Sequence, residues 1–153
     1  MNNRKRILVV DDGEDIRKSV SRLLRLGGYE VCTASDGVEA LQRVRHGEPI
    51  HLLILDLWMP RLAGLEMLSR LQEEGHKDIA VIILTAKSAP EDLVHGCNQG
   101  ADFYLTKPFD PQTLRNAVDF LIGDFPPEEH SGLEARLLTA DGLLFCIRRS
   151  YDR

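Results

Sequence analysis

The chain has 153 residues, 43% of them hydrophobic, which is enough for one domain with a buried core. Its net charge of −5 argues against a broad nucleic-acid surface, because such a surface needs clustered lysine and arginine. The cysteines (Cys32, Cys97 and Cys146) lie far apart and lack the Cys-x-x-Cys spacing of zinc and redox sites. No apolar run approaches the length of a membrane span. We therefore expect a soluble cytoplasmic protein that binds neither membranes nor nucleic acid directly.

Apolar runs alternate with helix-like segments along the chain. The runs predict strands over 7–10, 30–34, 52–55, 80–84 and 102–105. Segments with an apolar stripe predict helices over 14–26, 36–46 with Asp36 as the cap, 63–74, 90–100 and 111–121. The fourth helix contains Gly96, which costs about 1 kcal/mol relative to Ala, so it should be the least rigid. This alternation favours an α/β fold, a doubly wound parallel sheet with helices on both faces.

Polar residues follow four of the five predicted strands. Asp11 and Asp12 come after the first, Asp56 after the third, Thr85 after the fourth and Lys107 shortly after the fifth. Ligands of open α/β sheets bind at the carboxyl ends of the strands. These side chains are therefore expected to converge on one site that holds three carboxylates, a hydroxyl and an ammonium group.

The charges of this predicted site favour a bound cation. Two like charges about 4 Å apart repel by roughly 4 kcal/mol at an effective dielectric constant of about 20. Lys107 offsets only one of the three carboxylates, and Mg²⁺ suits oxygen ligands that leave room for a phosphoryl group. Such a site is suited to phosphoryl transfer, with Asp56 as the nucleophile that becomes an acyl phosphate.

Each of these residues also has an ordinary structural interpretation when taken alone. Asp11 and Asp12 could cap the helix that follows, and Thr85 could be a simple N-cap. Lys107 could be a solvated loop lysine, and Tyr104 a half-buried strand aromatic. The joint placement of the aspartates, Thr85 and Lys107 at strand ends favours the functional interpretation for these four, whereas Tyr104 taken alone favours the structural one.

The motifs around these positions resemble the receiver domain of two-component response regulators. They are Val10-Asp11-Asp12 with Glu14-Asp15, Leu55-Asp56-Leu57-Trp58-Met59-Pro60 with Gly64, Leu84-Thr85-Ala86, and Tyr104-Leu105-Thr106-Lys107-Pro108-Phe109. The resemblance covers residues 4 to about 122. It implies a flavodoxin-like, five-stranded parallel sheet with the strand order 2-1-3-4-5.

The resemblance also implies roles for the residues of the site. Asp12 would bind Mg²⁺ directly, Asp11 would act mainly through a water, and the Trp58 carbonyl would be a further ligand. Asp56 would be phosphorylated and would also contact the metal. Lys107 would contact the phosphoryl group.

A switch is implied by the same resemblance. Thr85 would move to hydrogen-bond the phosphoryl group, and Tyr104 would rotate toward the space that Thr85 vacates. The surface made by the fourth predicted helix, the fifth strand and the fifth helix would then change its preferred partner. The phosphoryl donor would be a sensor histidine kinase or a phosphotransfer protein, and the target a downstream protein, an output domain or a second copy. The Lys107-Pro108 bond is expected to be cis.

Three residues depart from the family pattern. Trp58, two residues after Asp56, could lean over the phosphoryl group and restrict attacking water. Lys87, two residues after Thr85, could reach the same edge of the predicted site. We therefore expect slow hydrolysis of the acyl phosphate. Ala63 replaces an acidic residue common before the loop glycine, and should alter only the cap of the third helix.

The receiver is expected over residues 1–123, followed by a tail over 124–153. Phe125-Pro126-Pro127-Glu128-Glu129 has the composition of a linker. Ser131-Gly132-Leu133-Glu134 fits a capping box that could start a short helix, whereas Asp141-Gly142 is a hairpin signal. The tail could pack on the receiver or on a second copy, or begin an output region.

Two other function classes remain open. A magnesium-dependent aspartyl-phosphate phosphatase also uses an aspartate nucleophile. Such enzymes carry an Asp-x-Asp motif, and here Trp58 occupies the position of the second aspartate. A receiver-like binding module that is never phosphorylated would be favoured by loss of Asp12, Asp56 or Lys107, and all three are present. The leading prediction is a phosphoacceptor signalling domain rather than a turnover enzyme.

Overall fold

The structure, a computed structural model, describes residues 4–59, 61–76, 78–86 and 100–145. Within them the strands and helices, numbered in chain order, are β1 (Arg6–Val10), α1 (Glu14–Leu26), β2 (Glu30–Ala34), α2 (Gly37–Arg45), β3 (Leu52–Leu55), α3 (Gly64–Glu73), β4 (Ala80–Thr85), β5 (Phe103–Thr106), α4 (Pro111–Ile122), α5 (Pro127–Leu138) and β6 (Leu143–Phe145). The helix predicted from Pro90, with Gly96, lies outside the described residues, as does Lys87.

One sheet contains all six strands, in the order β2-β1-β3-β4-β5-β6. The first five strands pair in parallel, which confirms both the doubly wound α/β class and the order 2-1-3-4-5. The sixth strand, β6, pairs antiparallel with β5 and extends the sheet by one strand. The sequence did not predict this pairing, because a three-residue strand has no periodicity of its own.

Two apolar clusters cover the two faces of the sheet. Alternate residues of each strand point to opposite clusters, so that Leu8 and Val10 belong to one and Ile7 and Val9 to the other. Every residue of β3 and β4 is buried. Burial on both faces explains why these strands read as continuous apolar runs rather than as alternating ones.

The helices begin where their caps allow. Asp36 is the N-cap of α2, and its side chain accepts a hydrogen bond from the Glu39 backbone N–H at 2.9 Å. Ala63 is the N-cap of α3 and makes no side-chain capping bond. Gly64 packs against the strand end, where an added Cβ would lie 2.5 Å from the Asp56 carbonyl oxygen. A glycine at this position therefore lets α3 start directly beside Asp56.

The tail forms a helix and a strand that both contact the rest of the fold. The helix α5 begins at Pro127, inside the segment with linker composition, rather than at the Ser131 capping box. Proline is favoured in the first turn of a helix, since its missing N–H needs no partner there. Residues 141 and 142 connect the helix to β6 and do not form a local hairpin, since β6 pairs with β5.

Candidate functional site

The carboxyl ends of β1 and β3 hold two aspartates side by side. The Asp11 N–H donates to the Ala34 carbonyl at 3.2 Å, and the Asp56 N–H donates to the Val10 carbonyl at 3.0 Å. Both backbones therefore continue the hydrogen-bonding pattern of the sheet, and both side chains are buried. Parallel pairing places the two carboxylates together although 45 positions separate them in the sequence.

Lys107 joins the two aspartates. Its Nζ lies 2.7 Å from Asp11 Oδ2 and 3.4 Å from Asp56 Oδ2. The Lys107 backbone N–H donates to the Thr85 carbonyl at 2.9 Å, which fixes the loop after β5 against the end of β4. The Lys107-Pro108 peptide bond is cis, as expected. In this arrangement the ammonium group pairs more closely with Asp11 than with Asp56.

A third carboxylate completes an acidic cluster. One oxygen from each of Asp11, Asp12 and Asp56 lies within 4.8 Å of the other two, and Asp12 is exposed to solvent. With one lysine against three carboxylates, the cluster keeps a formal charge of −2. Oxygen donors at this spacing fit a hard divalent cation such as Mg²⁺, which also keeps waters as ligands.

Asp11 and Asp56 differ in how well their oxygens are satisfied. Asp11 Oδ1 accepts a hydrogen bond from the Gly13 N–H at 2.8 Å, and its Oδ2 is held by Lys107. Asp56 Oδ1 accepts a longer bond of 3.2 Å from the Trp58 N–H, and its contact with Lys107 is also longer. The oxygens of Asp56 are therefore the less tightly held of the two.

Burial dominates the acidity of Asp56. Removal from water raises the pKa of this carboxyl above its usual value, and the nearby Asp11 raises it further. The Trp58 N–H and the Lys107 charge lower the pKa of Asp56 but do not offset its burial. Burial also lowers the pKa of Lys107, but the Asp11 hydrogen bond and both carboxylate charges outweigh that effect and raise it. The lysine therefore stays protonated, while the positive charge near Asp56 compensates its burial only in part.

Thr85 and Tyr104 lie on neighbouring strands beside the site. Thr85 is the last residue of β4 and is fully buried. Tyr104 on β5 pairs with Ile83 in the parallel register and is only 1% exposed, packed with the apolar cluster of Leu8 and Leu55. Tyr104 is therefore more deeply buried than a half-buried strand aromatic.

Trp58 lies on the loop that follows Asp56. Its side chain is 55% exposed, which makes it one of the largest apolar groups at the surface of the described residues. Its backbone N–H is turned toward Asp56 through the hydrogen bond described above. Lys87, the other residue predicted at this edge of the site, lies outside the described residues.

One contact at the site was missed from the sequence. The Arg17 Nη1 donates to the Asp11 carbonyl at 2.7 Å and ties α1 to the end of β1. The sequence signal for this contact is weak, because an arginine near the start of a helix most often faces solvent. The position six residues after Asp11 places it on the turn that faces back toward the strand end.

The fold and the acidic cluster define a class of α/β domain with a carboxylate site at the strand ends, and sequence comparison identifies the family. Residues 7–119 match the response regulator receiver domain, and the chain belongs to that family. Similar proteins include the response regulator MprA of Mycolicibacterium vanbaalenii, 37% identical over 148 residues, and that of Mycobacterium avium, 42% identical over 124 residues. These alignments cover 97% and 81% of this chain but 63% and 54% of the relatives, so the chain spans little more than half of their length.

Solved structures agree with this assignment. The chemotaxis protein CheY4 of Vibrio cholerae superposes with a TM-score of 0.72 at 34% identity, covering 78% of this chain and 99% of that one. The response regulator DrrB of Thermotoga maritima gives a TM-score of 0.67 at 34% identity, covering 77% of this chain and 52% of that one. In the part of the chain that the structure describes, no helix is long and apolar enough to span a membrane.

Proposed function

We propose that this chain is a phosphoacceptor switch in which Asp56 takes a phosphoryl group in a Mg²⁺-dependent reaction. The observation that supports this most directly is the cluster of Asp11, Asp12 and Asp56 with a single lysine, in a domain of the receiver family. Residues 1–123 would form the receiver. The donor would be a sensor histidine kinase or a phosphotransfer protein in the cytoplasm, and the output a downstream protein or domain.

The chain's own groups account for the chemistry. Asp56 Oδ attacks the phosphorus of the donor, an O–P bond forms, and the bond from phosphorus to the leaving group breaks with its electron pair on that group. Asp12, Asp56 and the Trp58 carbonyl would hold Mg²⁺, with Asp11 acting mainly through a water. The metal would neutralise charge on the phosphoryl oxygens. Lys107 would exchange its Asp11 partner for a phosphoryl oxygen.

The raised pKa of Asp56 is compatible with this role. Burial without full compensation disfavours the carboxylate, and a cation bound at the cluster removes that penalty. The nucleophile is therefore expected to be competent when metal is bound. This makes the proposed reaction dependent on metal even for small phosphodonors that need no kinase.

The switch would pass through Thr85 and Tyr104. Thr85 would hydrogen-bond the phosphoryl group, and Tyr104 would turn toward the space it leaves. Tyr104 lies in a tightly packed cluster, so its movement would require neighbouring groups to rearrange together. The surface beside β5 would then change its partner.

The intact mass of the protein after incubation with acetyl phosphate tests this proposal. With Mg²⁺ we expect a gain of one phosphoryl group, which should be absent without metal and absent in Asp56→Asn. Asp36→Asn is the matched control, because it neutralises another buried aspartate outside the cluster and should leave the gain intact. Failure of the unaltered chain to gain mass, with Mg²⁺ binding that changes Trp58 fluorescence, would favour a binding module. Rapid continued turnover of phosphate would favour a phosphatase.

The exposed Trp58 ring is expected to slow loss of the phosphoryl group, and we propose that Lys87 contributes to the same effect. Trp58→Asn replaces the ring with a smaller polar group, so water should reach the phosphorus more easily. We expect faster decay of phosphorylated Trp58→Asn, followed by intact mass after removal of the donor. Phe125→Asn, a change at an exposed aromatic in the tail, serves as control. Rapid decay in the unaltered chain that Trp58→Asn does not change would contradict this role.

A further inference from the structure

Residues 127–145 form a strap that runs from α5 through residues 139–142 to β6. In the five-stranded parallel sheet, β5 would be an edge strand with one side unpaired. The strap covers that side by pairing Tyr104 with Leu144 and Leu105 with Leu143. An additional bond of 3.0 Å runs from the Thr106 N–H to the Gly142 carbonyl. The edge of β5 therefore accepts an extended segment, and in this chain the segment is its own tail.

Apolar anchors hold the strap. Leu137 of α5 and Leu143 of β6 are buried in the same cluster as Phe103 and Leu105 of β5. Leu133 of α5 is buried as well. By contrast, Leu138 and Leu144 are largely exposed. The strap therefore has one buried side and does not trail along the surface.

A second contact attaches α5 to α4. The His130 ring stacks on the Phe120 ring with centroids 4.2 Å apart, and its Nε2 lies 3.0 Å from the Phe120 carbonyl. The helix α5 is thus attached to α4, while β6 is attached to β5. The strap therefore contacts the rest of the fold at two places, α4 and β5.

The strap approaches the sheet closely at Gly142. Its φ of +75° lies in the left-handed region, and an added Cβ would come within 2.6 Å of Thr106 Oγ1. Thr106 directly precedes Lys107, whose ammonium group holds Asp11 and Asp56. The strap therefore contacts the backbone one residue away from the cation of the acidic cluster.

We propose that β5 has an edge that can accept an extended strand, and that the strap of the same chain occupies this edge. A phosphoryl group on Asp56 then weakens the pairing of β6 with β5. This coupling rests on the proposed function. Lys107 now lies nearer to Asp11 than to Asp56, and new negative charge on Asp56 would draw it across. Thr106 moves with Lys107, whereas its contact with Gly142 leaves little room for displacement.

Release of β6 would leave the backbone groups of β5 open to another extended segment. An unpaired edge strand is a template for strand addition, in which main-chain hydrogen bonds bind the incoming chain. The partner that fits this edge is an extended peptide with an apolar residue at the position of Leu143. The strap excludes such a partner until Asp56 is phosphorylated.

Hydrogen exchange on the full chain tests the strap without any phosphodonor. Gly142→Ala introduces both left-handed strain and a clash, so amides of residues 143–145 and 103–106 should exchange about tenfold faster. Gly132→Ala is the matched control, because Gly132 lies inside α5 with open space around it. Alanine favours a helix over glycine, so this change should not speed exchange in either segment.

The result that would overturn the strap is unchanged exchange at 103–106 in Gly142→Ala. A second variant, Leu137→Ala, removes a buried anchor in α5 and should loosen the same two segments. Exchange in β1 and β3 should stay slow in both variants, which shows that the sheet remains folded. Faster exchange throughout the sheet would mean that the tail is part of the core, and would also overturn the proposal.

Loading Asp56 tests the coupling. The full chain is incubated with acetyl phosphate and Mg²⁺, the phosphoryl gain is measured by intact mass, and exchange is followed in the same sample. Faster exchange at 143–145 in the loaded chain, absent in Asp56→Asn, supports the coupling. Loaded protein with unchanged or slower exchange there overturns it. No phosphoryl gain overturns the proposed function and the coupling with it, whereas the Gly142→Ala result still decides the strap.

Discussion

Two buried aspartates, Asp36 and Asp56, lie at the carboxyl edge of the same sheet. Their pKa values are shifted in opposite directions. For Asp36, burial raises the pKa, but the Glu39 N–H and the Arg61 guanidinium lower it more, and the net pKa falls below its usual value. Arg61 contacts Asp36 Oδ2 through two nitrogens at 2.7 Å and 2.6 Å. For Asp56, burial raises the pKa and its longer contacts do not reverse that effect.

The difference shows that burial alone does not identify a reactive carboxylate. Asp36 caps a helix and pairs with a guanidinium group, so its charge is satisfied within the fold. Asp56 shares one ammonium group with Asp11 and gets the longer contact. Asp56, whose charge is only partly compensated, is the carboxylate that we propose takes the phosphoryl group.

Removal of the shared cation should give the largest change in stability. In Lys107→Met, Asp11 and Asp56 are left without their ammonium partner, which should lower the free energy of unfolding by roughly 3 kcal/mol. Urea denaturation without divalent ions measures this loss. Under the proposed function, the folded cluster would bind Mg²⁺ and the unfolded chain would not, so added Mg²⁺ should restore part of the stability.

Lys18→Met provides the control for that measurement. Lys18 also pairs with a carboxylate, Glu14 at 3.0 Å, but both side chains are exposed on α1. Its loss should change stability little and should not respond to Mg²⁺. Similar losses in the two variants would mean that the buried cluster is not the source of the effect.

Replacement of Asp36 should have a smaller effect on stability. Asp36→Ala removes both the cap and the ion pair and should cost about 1–2 kcal/mol. Asp36→Asn keeps a capping oxygen and loses only the charge, which should cost at most about 1 kcal/mol because Arg61 is largely exposed.

The pH dependence of Asp36→Asn gives the sign of this contribution. Because the folded pKa of Asp36 is lowered, its charge stabilises the fold above the usual value of 3.8, and the benefit is lost as the pH falls through the folded pKa. The difference between the unaltered chain and Asp36→Asn should therefore shrink in urea titrations as the pH falls from 7 toward 3. A difference that grows on acidification would contradict the assignment.

The smallest expected effect concerns the backbone of Arg61. This residue has a φ of +67°, in the left-handed region that favours glycine. Arg61→Ala loses the ion pair and keeps the strain, whereas Arg61→Gly loses the pair and relieves it. Thermal unfolding should show Arg61→Gly to be more stable than Arg61→Ala by about 1 kcal/mol. Equal stability would mean that the loop conformation carries no strain.

Local patterns predicted most of the elements within one or two residues. The prediction for β2 was correct at both ends, and Asp36 was correctly predicted as a cap, because apolar periodicity and capping act over a few neighbouring residues. The receiver resemblance supplied the strand order, which periodicity cannot give. The helix α5 begins at Pro127, four residues before the capping box at Ser131 that was offered as one possible start.

The sequence by itself determined the α/β class and the types of group that meet at the site, since apolar runs and strand-end residues are local features. Only the tertiary structure decided that Lys107 lies closer to Asp11 than to Asp56, that Arg61 compensates Asp36, and that β6 pairs with β5. Each of these depends on contacts between residues distant in the chain. Their distances are set by how the sheet and loops pack together, and no local pattern encodes them.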